Sequence, residues 1–360
     1  MDSSTMSSLH QEEEEPPPDL ASILVMYSVV ETPQCGEARD IVTDLETTET
    51  AHSIADGLGV LGCGVTMTPV RCEQDIPRAV EGLDPATTLI FNLCETLGGR
   101  SSDESTVPRW LDRLGFSYSG ATAKTLDDCL DKSCAKARLS KLGVPTAPYQ
   151  VFHHSQEPVN VPLPAIVKPV AEDCSLGITR DSVVWDEPAL RRQVMYILDT
   201  YKQPALVEMF LDGREFNVGV WGNGTAHVLP IAEIDFSAWP EHSLRVVNFD
   251  AKWNEDSQEY WSMPVLCPAP IPNSLVGRIR QTALAAYQAM GCRDYARVDM
   301  REKDGIPYVL EVNPNPCLAA DGGFANAARV AGYDYARMAS QIARWAWRRL
   351  GRTQSGAVCF

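Results

Sequence analysis

No apolar run in this 360-residue sequence is long enough to cross a membrane as a helix. No basic segment interleaved with aromatic residues offsets the net charge of −17, which argues against a nucleic-acid partner and against an anionic membrane surface. The eleven cysteines form no CxxC pair and follow no regular spacing. A disulfide framework and a structural zinc site are therefore not expected, and the thiols read as those of a reduced, cytoplasmic protein. The first twenty residues have no apolar core of the kind a signal peptide needs. With Glu12 to Glu15 followed by Pro16 to Pro18, residues 1–20 read as a disordered acidic tail. No internal repeat is visible.

What is present is enough apolar sequence, 44% of the chain, to bury large cores in two or three compact units. Residues 22–30, 65–70 and 88–93 read as buried strands, with helical spacing over 48–61 and 107–114. Strand, helix, strand in that order predicts a parallel α/β unit over residues 21–125. A single helix is predicted over 127–142, stopped by Gly143 with Pro145 beyond it. It opens an α+β unit, 126–212, with strands near 165–169, 182–185 and 205–210 and a helix over 187–200. A third unit, 213–350, begins with a strand over 215–221 and the turn Gly222-Asn-Gly224. It closes with an alanine-rich helix over 334–350, leaving 351–360 as a tail. Trp345, Trp347 and the neighbouring arginines give that helix a membrane-surface look, but tryptophans on the core and arginines in water is the preferred reading.

The most informative stretch runs from Tyr295 to Pro316. Residues two apart on a strand share a face, so Arg297 and Asp299 point one way on a first strand, as do Glu311 and Asn313 on a second. Asp304-Gly305 between them is a tight-turn signal. Val298, Met300, Leu310 and Val312 are expected on the opposite, apolar face. Two carboxylates and an amide oxygen suit Mg²⁺ shared with substrate phosphates, and the arginine suits a phosphoryl oxygen or an oxyanion. The same residues also suit a solvated ion pair on an exposed sheet face.

Earlier in the chain, Lys168 at a strand end and the turn-rich loop 172–177 could approach phosphates, while Lys132 lies on the preceding helix. The segment Glu208 to Leu211, then Glu215, could offer backbone to a base and a carboxylate to a ribose. Each of these is weak alone. In order, Leu130-Asp-Lys132 with Lys136, Gly143-Val-Pro-Thr146, Ile166-Val-Lys-Pro169, Glu208-Met-Phe-Leu-Asp-Gly-Arg-Glu-Phe216, Phe249-Asp-Ala-Lys252, Gly291 to Asp299 and Leu310-Glu-Val-Asn313 resemble the ATP-grasp superfamily. Within it, they resemble the D-alanine:D-alanine ligases. Phe91-Asn-Leu93 and Gly115 to Gly120 are similar to that family's first domain, so the resemblance spans roughly residues 22–350.

The resemblance implies a three-domain enzyme that clasps ATP between its second and third domains. Lys132 and Lys168 would hold phosphates under the 172–177 loop, which includes Ser175. The backbone of Glu208, Phe210 and Leu211 would hold adenine, and Glu215 the ribose. Asp299, Glu311 and Asn313 would bind Mg²⁺, with Mn²⁺ as an alternative, and Lys252 would contact the transferring phosphoryl group. Such enzymes convert a carboxylate to an acyl phosphate that an amine attacks, and Arg297 would stabilise the resulting oxyanion. Amino-acid or small-peptide substrates and a homodimer through the N-terminal domain follow from the same resemblance.

Departures gather where substrates bind. Cys94 to Arg100 and Ser101 to Glu104 replace the family's His-Gly and Glu-Asp-Gly loop. Cys317 stands where a glycine is usual, followed by Asp321-Gly-Gly323 where a serine would hold a carboxylate. Asp44 and Glu46 lie where a glutamate would grip the first amine. These changes suggest an altered acceptor: an amine that need not be an α-amino acid, a substrate bound another way, or a cationic acceptor favoured by Asp321. An ATP-binding regulatory protein with reduced turnover is the alternative, and no biotin-type attachment segment supports a carboxylase.

Overall fold

The computed structural model describes residues 20–30, 47–173, 175–239, 244–248, 251–252, 254 and 256–355. The expected acidic tail, Asp44 and Glu46 lie outside them. Strands β1 (Ser22–Ser28), β2 (Gly64–Val70), β3 (Thr88–Leu93) and β4 (Ser117–Tyr118) form a parallel sheet in the order β2-β1-β3-β4. The continuous apolar run of β1 arises because both faces are covered. Ile23, Val25 and Tyr27 pack with helix α1 (Thr47–Leu58), while Leu24 and Met26 pack with Ile76 of α2 (Asp75–Ala79) and with Val107 and Leu111 of α3 (Thr106–Leu114).

The single helix expected over 127–142 is two, α4 (Ala123–Leu130) and α5 (Lys132–Lys141). Asp131 breaks it: its carboxylate accepts the backbone N–H groups of Ser133 and Cys134, an N-cap bond that competes with continued helix. Lys132 is thereby placed at the first position of α5, with its backbone N–H bonded to the Val170 carbonyl at 3.0 Å.

The middle sheet is antiparallel in the order β5-β8-β6-β7, from β5 (Tyr149–Phe152), β6 (Ala165–Pro169), β7 (Val183–Val184) and β8 (Ala205–Met209). Helix α6 (Glu187–Tyr201) covers one face with Leu190, Val194 and Ile197.

The third sheet is also antiparallel. Its strands are β9 (Arg214–Gly222), β10 (His227–Val228), β11 (Ala232–Ile234), β12 (Val265–Leu266), β13 (Asp294–Lys303) and β14 (Ile306–Asn313). Their order is β12-β11-β9-β13-β14, with β10 paired to β9. A short helix, α7 (Gln258–Trp261), precedes β12, and α8 (Asn273–Met290) covers one face. Cys129, Ala135 and Leu139 join that same core, so the helices at the start of the expected central unit pack beneath the third sheet.

The hairpin forms as expected, with Arg297 opposite Asn313 and Asp299 opposite Glu311. One expectation fails. The register shifts after Asp299, so Met300 pairs with Val309 and Leu310 becomes the extra residue of a bulge. Val309 takes the core position, fully buried, while Leu310 turns to the polar face and lines the cavity there.

Where β9 begins, a Cβ on Gly213 would stand 1.8 Å from the Glu302 carbonyl oxygen of β13. Gly213→Ala is expected to lower stability by about 1–3 kcal/mol by forcing the two strands apart. An unchanged urea midpoint would refute that.

Helix α9 (Gly323–Val330) leads into α10 (Tyr335–Ser355), whose backbone continues past residue 350, where the tail was expected to start. Trp345 and Trp347 are buried, with Trp345 edge-to-face on Trp221 at 5.2 Å. The preferred reading of the tryptophans holds. Arg349 does not face water: it pairs with buried Asp294, whose carboxylate also accepts the Gly120 N–H at 2.8 Å. Met338, Ala339, Ile342 and Ala343 meet the N-terminal sheet in one core, so α10 ties the first sheet to the third. No helix among the described residues is long and apolar enough to cross a membrane.

Candidate active site

One cavity is lined from both later sheets: by Lys168 of β6, by Glu208 to Leu211 at the end of β8, and by the polar face of β9, β13 and β14. The middle-sheet wall is built on a buried carboxylate. Glu208 lies between two lysines, with Lys168 Nζ 2.5 Å from Oε1 and Lys136 Nζ 2.5 Å from Oε2. Burial alone would raise its pKa, but Lys136 and Lys168 outweigh that and hold the carboxyl at about 2. Lys136, 1% exposed, is further fixed by Thr146 Oγ1 at 2.8 Å, and burial pulls its pKa below the ordinary lysine value despite Glu208. The side chain of Glu208 thus orients Lys168. At the strand end the Phe210 N–H bonds to the Pro164 carbonyl and the Leu211 carbonyl accepts from Arg301.

On the opposite wall Arg297 forks onto Asp299 through Nε and Nη2, each at 2.8 Å. Asn217 of β9 donates to Asp299 Oδ1 at 2.7 Å. Glu311 is surrounded by Lys132, Lys168, Arg297 and Lys252, which keep its carboxyl below the usual range although burial acts the other way. Lys132 does not line the cavity itself. Its ammonium lies 3.6 Å from Asp173 and 3.7 Å from Glu311, and it donates to the Glu172 carbonyl. Burial lowers its pKa, but Asp173, Glu311 and Glu172 more than reverse this, so it stays charged. Lys252 lines the cavity.

The loop expected over phosphates reaches across. Ser175 has φ 64°, and its hydroxyl donates to the Val247 carbonyl at 2.9 Å, which joins the middle sheet's loop to the segment leading to Lys252. Arg180 continues the seam with a 2.5 Å ion pair to Glu259. Cys174 lies outside the described residues.

Asn313 faces Arg297 in register, and its Oδ1 accepts the Asn315 backbone N–H at 3.0 Å. Asn315 is held in turn by the Tyr295 hydroxyl at 2.9 Å and donates to Glu104 at 2.7 Å. The Asn-Pro-Asn-Pro rim is thereby locked to the N-terminal unit. Cys317 Sγ accepts the Ala319 N–H, and Asp321 is exposed; neither lines the cavity.

Among the described residues no three His, Cys, Asp or Glu side chains converge as a metal cage. Asp299, Glu311 and the Asn313 amide oxygen fit the other pattern, in which Mg²⁺ takes one or two carboxylates and completes its shell with phosphate oxygens. Lys168 on the facing wall, together with Lys252, matches that anion.

Sequence reasoning singled out neither Asn217 nor Arg301, and gave Lys136 no role. A signal existed for the first two: Glu215 and Asn217 on one strand, and Arg297, Asp299 and Arg301 on another, continue the polar period of two toward the cavity.

A clasp of two antiparallel sheets closing on such a cavity, beside a parallel α/β sheet, defines the class: an ATP-grasp ligase that forms C–N bonds. A family model described as the D-ala D-ala ligase C-terminus matches residues 139–344. The chain is 30% identical over 308 residues to a D-alanine–D-alanine ligase of Marinomonas sp., covering 83% of this chain and 90% of that protein. It is 34% identical over 263 residues to an uncharacterized protein of Sinorhizobium fredii, covering 72% and 75%. The crystal structure of a D-alanine–D-alanine ligase from Bacillus anthracis complexed with ATP superposes with a TM-score of 0.70 at 23% identity, covering 93% of this chain and 99% of that one. The chain belongs to the D-alanine–D-alanine ligase family. It is accordingly an ATP- and Mg²⁺-dependent ligase that joins amino-acid substrates through an amide bond.

Proposed function

We propose that the cavity binds Mg-ATP and that the substrates meet at its Arg297 end. Lys132 and Lys168 bind phosphate oxygens, the Glu208 to Leu211 backbone borders the adenine, and Glu215 accepts the ribose hydroxyls. Asp299, Glu311 and Asn313 hold Mg²⁺, whose chemistry is to neutralise charge on the phosphates. The nucleotide supplies the phosphoryl group that turns a substrate carboxylate into an acyl phosphate. Lys252 steadies that group during transfer, and the loop around Ser175 keeps water out. When the amine attacks, Arg297 faces the oxyanion; the amide forms as phosphate leaves and the amine proton is lost.

One observation carries this reading: Lys168, locked on Glu208, faces an arginine and two carboxylates across a single cavity that Lys252 also lines. The proposed substrates are amino acids or small peptides. The relatives named above are D-alanine–D-alanine ligases; Cys317 and Asp321 favour a different acceptor here. A cytoplasmic location is supported by the free thiols of the eight cysteines among the described residues. A homodimer through the N-terminal unit is part of the same proposal.

The test is to incubate the protein with Mg-ATP and pooled amino acids, following ADP release and searching for condensed masses. ADP release that depends on particular acids, with a new mass equal to two substrates less water, is expected. Tight Mg-ATP binding with no substrate-dependent ADP from any carboxylate would sink the proposal.

A further inference from the structure

Arg301 is 4% exposed, yet it lines the cavity. It sits directly opposite Glu215 in the β13–β9 register, and both its Nε, at 2.8 Å, and its Nη2, at 2.7 Å, meet the same carboxylate oxygen, Oε2. The guanidinium is fixed at further points. Nη1 donates to the Leu211 carbonyl at 2.8 Å, Nη2 donates to the Arg245 carbonyl, and its Cζ lies 5.5 Å and 5.7 Å from the ring centres of Phe210 and Phe236. A planar fork spread over a carboxylate and two carbonyls is a task that lysine, a single point charge, cannot reproduce.

We infer that Arg301 is a positioning residue for nucleotide recognition: by occupying Glu215 Oε2 and bracing the Leu211 and Arg245 carbonyls, it presents Glu215 Oε1 to the ribose hydroxyls. This rests on the proposed nucleotide site and adds to it a residue that sets sugar specificity. The arrangement is asymmetric in a telling way. A guanidinium serving only to neutralise Glu215 would be equally satisfied by one contact on each oxygen. Here both fall on one oxygen, and the other is left for a ligand in the cavity. The bond to Leu211 also links sugar recognition to the strand end that borders the base, so one side chain sets the spacing between the two subsites.

The discriminating measurement is the affinity of the full-length protein for Mg-ATP and Mg-2′-deoxy-ATP, in wild type, Arg301→Lys and Arg301→Gln, on material shown to be folded by circular dichroism. Wild type is expected to favour ATP about tenfold, the value of one hydrogen bond to a charged group. In Arg301→Lys the preference should fall to within about twofold, chiefly through weaker ATP binding, while 2′-deoxy-ATP affinity changes by less than about threefold. Arg301→Gln provides the same test if the lysine variant does not fold. A loss that is equal for both nucleotides would mark a merely structural role and overturn the inference. So would a retained tenfold preference, or a wild type blind to the 2′-hydroxyl, each leaving the nucleotide site standing. A wild type that binds neither nucleotide removes the site and the inference together.

Discussion

Glu208→Ala is expected to destabilise the protein by about 3–5 kcal/mol at neutral pH, because it leaves Lys136 and Lys168 buried without their shared carboxylate. The size follows from burial rather than from the worth of an ion pair. A pair of this kind contributes little against an apolar substitute of the same shape, but removing one member strands the other's charge. Here one carboxylate, 1% exposed, serves two ammonium groups. The pH dependence has a definite sign. A carboxyl held at about 2 in the folded state, against roughly 4.3 when unfolded, contributes stability above the unfolded value and loses it as pH falls through the folded one. Wild type should therefore lose stability between about pH 5 and pH 2 more steeply than Glu208→Gln. Urea midpoints across that range measure both effects. A Glu208→Ala change below about 1 kcal/mol at pH 7 would mean that the lysines find other partners.

Arg297→Ala is expected to reduce amide formation by about a hundredfold or more while leaving Mg-ATP affinity nearly unchanged, the loss typical of a removed oxyanion donor. The fork between Arg297 and Asp299 sets up the competing account. If the arginine served only as a counter-ion to the metal-type carboxylate, its loss would alter Mg-ATP binding and Arg297→Lys would rescue activity. If it serves the reacting acyl group, lysine rescues poorly, because a point charge lacks the planar fork. Single-turnover ADP release and amide yield, with Mg-ATP affinity measured separately, distinguish the two.

Much of the site was legible because its code is local. Alternation along a strand and the Asp304-Gly305 turn set Arg297, Asp299, Glu311 and Asn313 on one face before any tertiary contact is considered. The order of Lys132, Lys168, Glu208, Glu215 and Lys252 along the chain did the rest, since it carried a resemblance that no single motif could. Where local rules compete, the sequence is less legible. Asp131 looked like an interior helix residue, and its short carboxylate instead captured two amides and began a new helix.

Other features have no local trace at all. That Leu310 bulges toward the cavity depends on β13 and β14 slipping by one residue, a choice made by Val309 entering the core. That Glu208 takes Lys136 as well as Lys168, and that Arg301 takes Glu215 across 86 residues, depends on strands and helices meeting in space. That α10 closes the N-terminal sheet, with Arg349 drawn inward to Asp294, depends on an apolar face finding cover far away in sequence. By itself the sequence determined which residues could carry the chemistry, because side-chain type and strand period are fixed by steric rules within a few residues. Only the tertiary structure decided which buried charges share a partner, because burial and the Coulomb energy it amplifies belong to the assembled sheets.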